Sequence, residues 1–349
     1  MDFSFIIPAY NAADTIETAV NSILALQAEA LLSFEILIVE NGSTDDTVSV
    51  ISRLASQHDE IRIFHSEKGV SRARNTGIKE AQGNWVVFID ADDRCEPGIL
   101  DALPILSAYI PDLFVASFRK DNGILLHRYS KMNTPISGDA LPAVETWMLA
   151  RPTRRMIAWA KIYRTAFLKN HDLFFDNALR YSEDSEFLIR VFHCCRKLII
   201  SDLVIYRHCG GTSSVMRSIV SDRIEAYLAA LEKAEADITV SDPALQDAFP
   251  DYIAAHVSLV GVHDIFNCEI KNPWTQKCEQ MRVFLSQPII RNALKNMTLR
   301  KGLRLQNLPS YCFTHHLINT GGWICYLRSL QNHRRWQKAT SCRRKSERK

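Results

Sequence analysis

Apolar residues in the first ninety positions follow two alternating rhythms. FSFIIPAY (3–10), FEILIVE (34–40), IRIFHS (61–66) and NWVVFID (84–90) are short, nearly continuous apolar runs. That is the pattern of strands buried on both faces. Helical spacing fills the gaps. DTIETAVNSILAL puts Ile16, Val20, Ile23 and Leu24 on one face, with Asp14 as N-cap. Thr44 or Asp45 caps a second helix ending near Ser56, and a third runs from Val70 to Ala81 and is closed by Gly83. Strand, helix and strand joined by short links predict an α/β fold, a mostly parallel central sheet flanked by helices. Ligands of such sheets sit beyond the carboxyl ends of the strands. Three ends carry chemistry here, namely Pro8-Ala9-Tyr10, Glu40-Asn41 and Asp90-Ala91-Asp92-Asp93. They are expected to converge on one crevice.

Farther along, LFVASF (113–118) and KLIISDLVIYRH (197–208) read as strands, and helices are expected at 139–149 and 185–192. From about residue 220 the pattern turns helical and is broken by Pro243, Pro250, Pro273 and Pro288. This divides the chain into an α/β domain (1–215), a helical extension (216–322) and a basic amphipathic tail (323–349).

Composition changes this picture only locally. With 349 residues, 47% hydrophobic and 23% charged, the chain has ordinary globular proportions. A net charge of +3 gives no reason to expect nucleic acid as a partner. The charge is unevenly spread, however. From Arg328 onward there are nine Lys and Arg against one acid, Glu347. The nine cysteines are scattered without C-x-x-C spacing, which favours reduced thiols in a cytoplasmic setting over zinc or a disulfide framework. MDFSFIIPAY has no basic n-region and too short an apolar run for a signal peptide, and no apolar run approaches the ~20 residues of a membrane span.

The sharpest chemical signal is FIDADD (88–93), where a buried strand runs into three carboxylates within four positions. Like charges that close raise one another's pKa unless something positive lies among them. An EF-hand counted from Asp90 would need Gly at Cys95 and Glu at Asp101, so it fails. No G-x-x-x-x-G-K-[ST] or G-x-G-x-x-G occurs either. Left standing are a solvated acidic turn and a hard divalent cation held by one or two carboxylates, with substrate phosphates and water completing its shell.

FSFIIPAYNAADTIETAVNSIL, EILIVENGSTDDT, GVSRARNTGIKEAQGNWVVFIDADD and YSEDSEF, in this order, resemble family 2 glycosyltransferases of the GT-A fold. The resemblance covers residues 3–215. AWAKIYRTAFLKN (158–170) is similar to the segment before the acidic motif in bacterial capsule, exopolysaccharide and lipopolysaccharide enzymes of that family. It implies an inverting transfer of a sugar from a nucleotide donor, mostly UDP-linked, to a saccharide or lipid-linked acceptor, with Mn²⁺ or Mg²⁺ as cofactor. Pro8, Ala9 and Tyr10 then fall at the base and ribose. Glu40 and Asn41 replace the family's common Asp pair, and one of them accepts the uracil N3–H. Lys68, Arg72 and Arg74 lie where the chain runs past the nucleotide, either touching phosphate or pairing with Glu67 or Glu80. Asp90 and Ala91 fall at the ribose or donor sugar, Asp92 at the metal, and Asp93 behind it. Glu183 and Asp184 match the family's acidic pair, with Asp184 as base and Glu183 orienting the acceptor. As a plain sequence feature, the same pair would simply complement a helix dipole. His208 stands near the family's metal- or diphosphate-facing histidine, although the spacing from Arg207 is one residue short. Trp159 is either a wall of the acceptor pocket or core.

Two other classes compete with this reading. A nucleotidyltransferase should carry a Gly-rich basic loop after the first strand, which PAYNAADT is not. A non-catalytic scaffold of the same fold has no need of Asp90, Asp92 and Asp184. In the tail, Trp323, Tyr326, Leu327 and Leu330 share a helical face beside Arg328, Arg334 and Arg335. This suits contact with an anionic membrane and a peripheral place on its cytoplasmic face.

Overall fold

The computed structural model describes residues 1–28, 32–120, 132–209, 223–239, 243–295 and 307–346. They form two compact units, one of Met1–Val144 with Ile157–Gly211 and one of Glu145–Met156 with Thr212–Lys349. The expected boundary at 215–216 lies outside the described residues.

The first unit is built on a sheet of β1 (Phe3–Ala9), β2 (Phe34–Glu40), β3 (Ile61–His65), β4 (Trp85–Phe88), β5 (Arg94–Cys95), β6 (Leu113–Lys120), β7 (Pro135–Ser137), β8 (Lys161–Arg164) and β9 (Lys197–His208). Its order is β3-β2-β1-β4-β8-β6-β9-β5, with β7 also paired to β9. The helices of this unit are α1 (Ile16–Leu24), α2 (Thr47–Gln57), α3 (Val70–Glu80) and α4 (Gly98–Tyr109). Next come α5 (Leu141–Leu149), which spans the division between units, and α6 (Pro152–Arg155), which belongs to the second. The first unit resumes with α7 (Thr165–Asn170) and α8 (Glu183–Cys194).

Strands β1 to β4 pair in parallel, as their continuous apolar pattern implies, and every residue of β1 and β2 is buried. Beyond β4 the sheet becomes mixed. Strand β8 is antiparallel to both β4 and β6, while β9 is parallel to β6 and antiparallel to β5 and β7. This switch was not legible because KIYR of β8 is too short to show a period.

Two local features shape the sheet. Gly83 approaches the start of β1 so closely that a Cβ there would lie 2.5 Å from the Phe3 carbonyl carbon. Only glycine fits. At the other end, Ile6 is the last residue of β1 paired with β4, and the Ile89 N–H donates to the Ile6 carbonyl at 3.0 Å. A parallel ladder would continue from the N–H of residue 8 to the carbonyl of Ile89, and Pro8 has no N–H. Strand β4 therefore ends at Phe88 rather than at the expected Asp90.

The second unit is helical, with α9 (Arg223–Thr239), α10 (Pro243–Val260), α11 (Trp274–Ser286), α12 (Pro288–Leu294), α13 (Leu308–Thr314) and α14 (Ile318–Ser346). A π-helical turn, Gly261–Ile265, follows α10. None of the described helices is long and apolar enough to cross a membrane. The eight cysteines whose side chains are described are free thiols.

Lys161 in β8 is fully buried, and its Nζ donates to the Ile157 carbonyl at 2.5 Å. Burial pushes its pKa down to about 7, against the pull of the Asp184 charge. The unfolded chain keeps this proton up to about 10.5, so between these values the unfolded state binds more protons. Stability therefore rises with pH through this group, by at most about 1.4 kcal/mol per pH unit. Lys161→Met removes that rise. The unfolding free energy of the wild type minus that of the variant should grow between about pH 7 and about pH 10 in urea titrations. A difference independent of pH would show that Lys161 stays protonated on folding.

Candidate active site

Beyond Phe88 the chain leaves the sheet, and Asp90 meets a cation from α3. Arg74, only 4% exposed, donates from Nη2 to Asp90 Oδ1 at 3.3 Å and from Nη1 to Asp184 Oδ1 at 2.7 Å. The same Nη1 reaches Glu183 Oε1 at 3.4 Å. This guanidinium is the positive group that the acidic run requires. Its Nε is buried without a hydrogen-bond partner, so the arrangement is not fully satisfied. Burial works against the charge on Arg74, but Asp184, Asp90 and Glu183 outweigh it and raise its pKa. Burial also pushes the Asp90 carboxyl up to about 7; Arg74 opposes this, and Asp93, Asp92 and Asp184 add to it. Glu183 is likewise pushed up to about 7, first by burial and then by the charge of Asp184.

Glu183 and Asp184 open α8, where acids suit the positive helix end. The residue before them, Ser182, is left-handed at φ 58°. Asp184 is held a second time by the Ala158 N–H, which donates to Oδ2 at 3.0 Å. Ala160, just beyond Trp159, is another left-handed residue, at φ 55°. Non-glycine residues in this region cost energy and persist where their surroundings hold them.

Asp93 faces away from Arg74 and ties the turn to β9. Its Oδ2 accepts from the Tyr206 hydroxyl at 2.5 Å and lies 3.1 Å from His208 Nδ1, and its Oδ1 accepts from the Cys209 N–H at 2.7 Å. The hydrogen bond to Asp93 raises the His208 pKa. Trp159 stacks on Tyr206 at 4.5 Å and on His208 at 5.5 Å, and meets Phe118 edge-on at 4.6 Å. Its ring thus belongs to the aromatic bed beneath His208. Asp92, half-buried, sits between Asp90 and Asp93 in the turn.

At the ends of β1 and β2, Tyr10 is 37% exposed and its hydroxyl accepts from Lys68 Nζ at 2.7 Å. The same ammonium lies 4.5 Å from the tyrosine ring centroid. Ala9 pairs with Glu40 in the ladder, and its carbonyl accepts from the Asn41 N–H at 3.0 Å. The Glu40 carboxylate is engaged by the following turn. Oε1 accepts from the Gly42 and Ser43 N–H groups at 2.8 and 2.5 Å, and Oε2 lies 3.3 Å from His65 Nδ1. Burial alone would raise the Glu40 pKa, but these hydrogen bonds together leave it lowered. Arg72 pairs with Glu67 at 2.6 Å. A cleft of about 460 Å³ beside α3 is lined by Glu67, Arg72, Asn75, Lys79, Phe174 and Phe175. It adjoins the cluster through Phe175, whose ring centroid is 5.1 Å from the Arg74 guanidinium carbon.

The site residues thus fall into three groups. Arg74, Asp90, Glu183 and Asp184 meet directly, Asp93 gathers His208 with Trp159 behind it, and Tyr10 joins Lys68 over the β1 end. Arg72 and Glu40 are paired elsewhere. Sequence reasoning missed the network that fastens the loops after β1 and β2 to each other. Asn11, left-handed at φ 48°, accepts the Thr44 N–H on Oδ1 at 2.8 Å, and its own N–H reaches Ser43 Oγ at 3.1 Å. The Ala12 N–H donates to Thr47 Oγ1 at 2.7 Å, and the Ala13 N–H to Asp45 Oδ2 at 3.2 Å. The run of short polar residues in NGSTDDT was the available signal, since such side chains bond backbone in turns.

The model of the family described as "Glycosyl transferase family 2" matches residues 4–186. The chain belongs to that family. Among curated relatives, the succinoglycan biosynthesis protein ExoO of Rhizobium meliloti is 29% identical over 240 residues, covering 66% of this chain and 67% of ExoO. The poly(ribitol-phosphate) beta-N-acetylglucosaminyltransferase TarS of Staphylococcus aureus is 28% identical over 211 residues, covering 59% of this chain but only 35% of TarS. The crystal structure of TarS 1–349 in complex with UDP-GlcNAc superposes with a TM-score of 0.63 at 19% identity, over 96% of this chain and 92% of that one. A mannosyltransferase from Pyrobaculum calidifontis, in complex with GDP-Man and Mn²⁺, reaches 0.51 at 16% identity, over 95% and 87% of the two chains. These likenesses carry the fold, which is the GT-A fold with a helical C-terminal region.

Arg74→Met leaves three carboxylates facing one another in a buried site. Stability should fall by about 3–5 kcal/mol, the range for removing one partner of a buried ion pair. Adding Asp90→Asn should return part of the loss. Denaturant titrations of the four proteins give the coupling, and strictly additive effects would show that Asp90 does not feel Arg74.

Proposed function

We propose that this chain is an inverting, divalent-metal-dependent glycosyltransferase that moves a sugar from a UDP-linked donor to a saccharide or lipid-linked acceptor in the synthesis of a bacterial surface polysaccharide or lipopolysaccharide. The observation that carries this is the meeting of Asp90 from the β4 end with Glu183 and Asp184 from the start of α8 on one buried cation, Arg74. Membership of family 2, and relatives named for succinoglycan synthesis and for N-acetylglucosaminyl transfer, support the same reading.

On the donor side, the exposed Tyr10 ring offers a face for the base, and Pro8 and Ala9 hold it at the strand end. With the Glu40 carboxylate engaged by its own turn, Asn41 is the better placed of the two to accept from the uracil. Lys68, and Arg72 by exchanging its exposed partner Glu67, are the cations offered to the phosphates, because Arg74 is buried among carboxylates. Asp90 and Ala91 face the ribose or donor sugar.

The donor set suits Mn²⁺ or Mg²⁺ drawn mainly from substrate. The described residues contain no cluster of three or more His, Cys, Asp or Glu side chains that could hold an ion unaided. Half-buried Asp92 would supply one hard oxygen, as expected for a cation completed by diphosphate and water. His208, whose Nδ1 is bound to Asp93, retains Nε2 for ligation, the usual carboxylate–histidine arrangement behind a metal. When bound, the ion would neutralise charge building on the departing diphosphate.

Asp184 takes the acceptor proton as the acceptor oxygen bonds to C1 of the sugar, and the C1–O bond to the diphosphate breaks with its electron pair leaving on UDP. The Ala158 N–H and Arg74 hold Asp184 at a fixed angle for this. Glu183 orients the acceptor, and Trp159 backs the site through His208. Glu183 is the second candidate for the base: it shares the Arg74 Nη1 with Asp184 but at the longer distance of 3.4 Å, and burial with the Asp184 charge pushes its carboxyl up. We place the enzyme in the cytoplasm, at the face of an anionic membrane where a lipid-linked acceptor would be met.

UDP release from a panel of UDP-sugars, with Mn²⁺ and with chelator, tests the assignment. Asp184→Asn should lower kcat by ~10²–10⁴-fold while UDP affinity is retained. Glu183→Gln should act mainly on the KM for acceptor, and the reverse pattern would assign the base to Glu183. Full turnover in chelator would overturn the metal role.

A further inference from the structure

Helix α14 is packed with its small side chains inward. Gly321, Gly322, Cys325 and Ser329 make up the buried face. A Cβ on Gly321 would lie 2.4 Å from the Phe313 ring, and one on Gly322 2.6 Å from the Phe266 ring. The Cys268 N–H donates to Ser329 Oγ at 3.1 Å, and Cys325 is fully buried. The large apolar residues are turned the other way. Trp323 and Leu327, one turn apart, are each 52% exposed. Leu330 and exposed Arg334 continue the same stripe on the next two turns. A helix made only for this fold would bury its large side chains and expose its small ones.

The outward face is broadened by its neighbours. Trp274 of α11 stacks on Trp323 at 4.6 Å, and Tyr326 meets Trp323 edge-on at 5.7 Å. The Trp274 indole N–H is already satisfied by Asn319 Oδ1 at 3.0 Å, so the ring presents its apolar part without an unmet donor. Exposed Lys271 lies just before this aromatic group in the chain. On the other side the helix runs into the basic sequence, nine Lys and Arg from Arg328 onward against Glu347 alone.

We infer that the Trp274–Trp323–Tyr326–Leu327 face is a docking surface for an anionic lipid bilayer, with the α14 axis lying in the interface plane. Tryptophan and tyrosine rings have the mixed polarity that settles at the headgroup level. The basic run supplies the attraction to negatively charged lipid. An apolar stripe continuing into cations matches such a surface in charge as well as in chemistry, whereas a second copy of this chain would bring like charge against like. The inference rests on the membrane placement proposed above and gives it a location on the molecule; it does not depend on which carboxylate is the base.

The full chain, Trp323→Ser/Leu327→Ser and Arg343→Gln/Arg344→Gln/Lys345→Gln should be compared by flotation with phosphatidylglycerol-containing and pure phosphatidylcholine vesicles. The wild type is expected to bind the anionic vesicles, with a blue shift of tryptophan emission and release by salt. The apolar double variant should lose at least about tenfold in partitioning, since two large side chains no longer leave water. The charge variant should lose binding to anionic vesicles specifically. UDP release measured without vesicles should be the same in all three, which separates failed docking from a failed catalytic assignment. Equal partitioning of wild type and apolar variant would overturn the inference. A dimer in sedimentation velocity that disappears in the apolar variant, with vesicle binding unchanged, would overturn it too.

Discussion

One buried guanidinium decides the geometry of the acidic cluster. Arg74 sits on α3, behind the sheet, yet it reaches Asp90 at the end of β4 and both acids at the start of α8. Those acids lie more than a hundred positions away in sequence. Without a cation, the three carboxylates would repel one another in a site with little water to screen them. With it, they are drawn together and their orientation is set before any substrate arrives. The cost is visible in the two carboxyls pushed up to about 7 and in the unpartnered Nε. Strain of this kind is expected where binding groups are kept partly unsatisfied.

The opposite end of the same sheet shows what satisfaction looks like. Glu35, almost fully buried, accepts from the Ser4 hydroxyl, the Gln82 N–H and Arg62, each at 2.6 Å. Asp112 is bound by the Arg196 and Lys197 N–H groups and by Arg164. These carboxylates do structural work with their lone pairs filled. The contrast separates acids bonded by several donors from acids crowded on one cation more clearly than burial does, since both kinds are withdrawn from water.

Much of this was legible in the residues. The four parallel strands were written in continuous apolar runs. The acidic cluster announced its need for positive charge, but a divalent cation was the expected source, and Lys68, Arg72 and Arg74 were expected at phosphate or paired with Glu67 or Glu80. Which one turns inward depends on the face of α3 that packs against the sheet, a tertiary fact. The antiparallel insertion of β8 was equally hidden in a four-residue strand. Glu40 and Asn41 read as alternatives for a base contact because they stand where the family has an acid pair; that the Glu40 carboxylate is bonded by the next turn is a matter of two backbone N–H groups. The loop fastening through Asn11, Ser43 and Thr47 needed the fold to bring its halves together.

The missing amide hydrogen of Pro8 has a further implication. Since no bond can form from that nitrogen to Ile89, the ladder between β1 and β4 stops at this level. The run that carries Asp90, Asp92 and Asp93 is thus released from the sheet by the ring of one residue on a neighbouring strand, and not by anything in its own sequence.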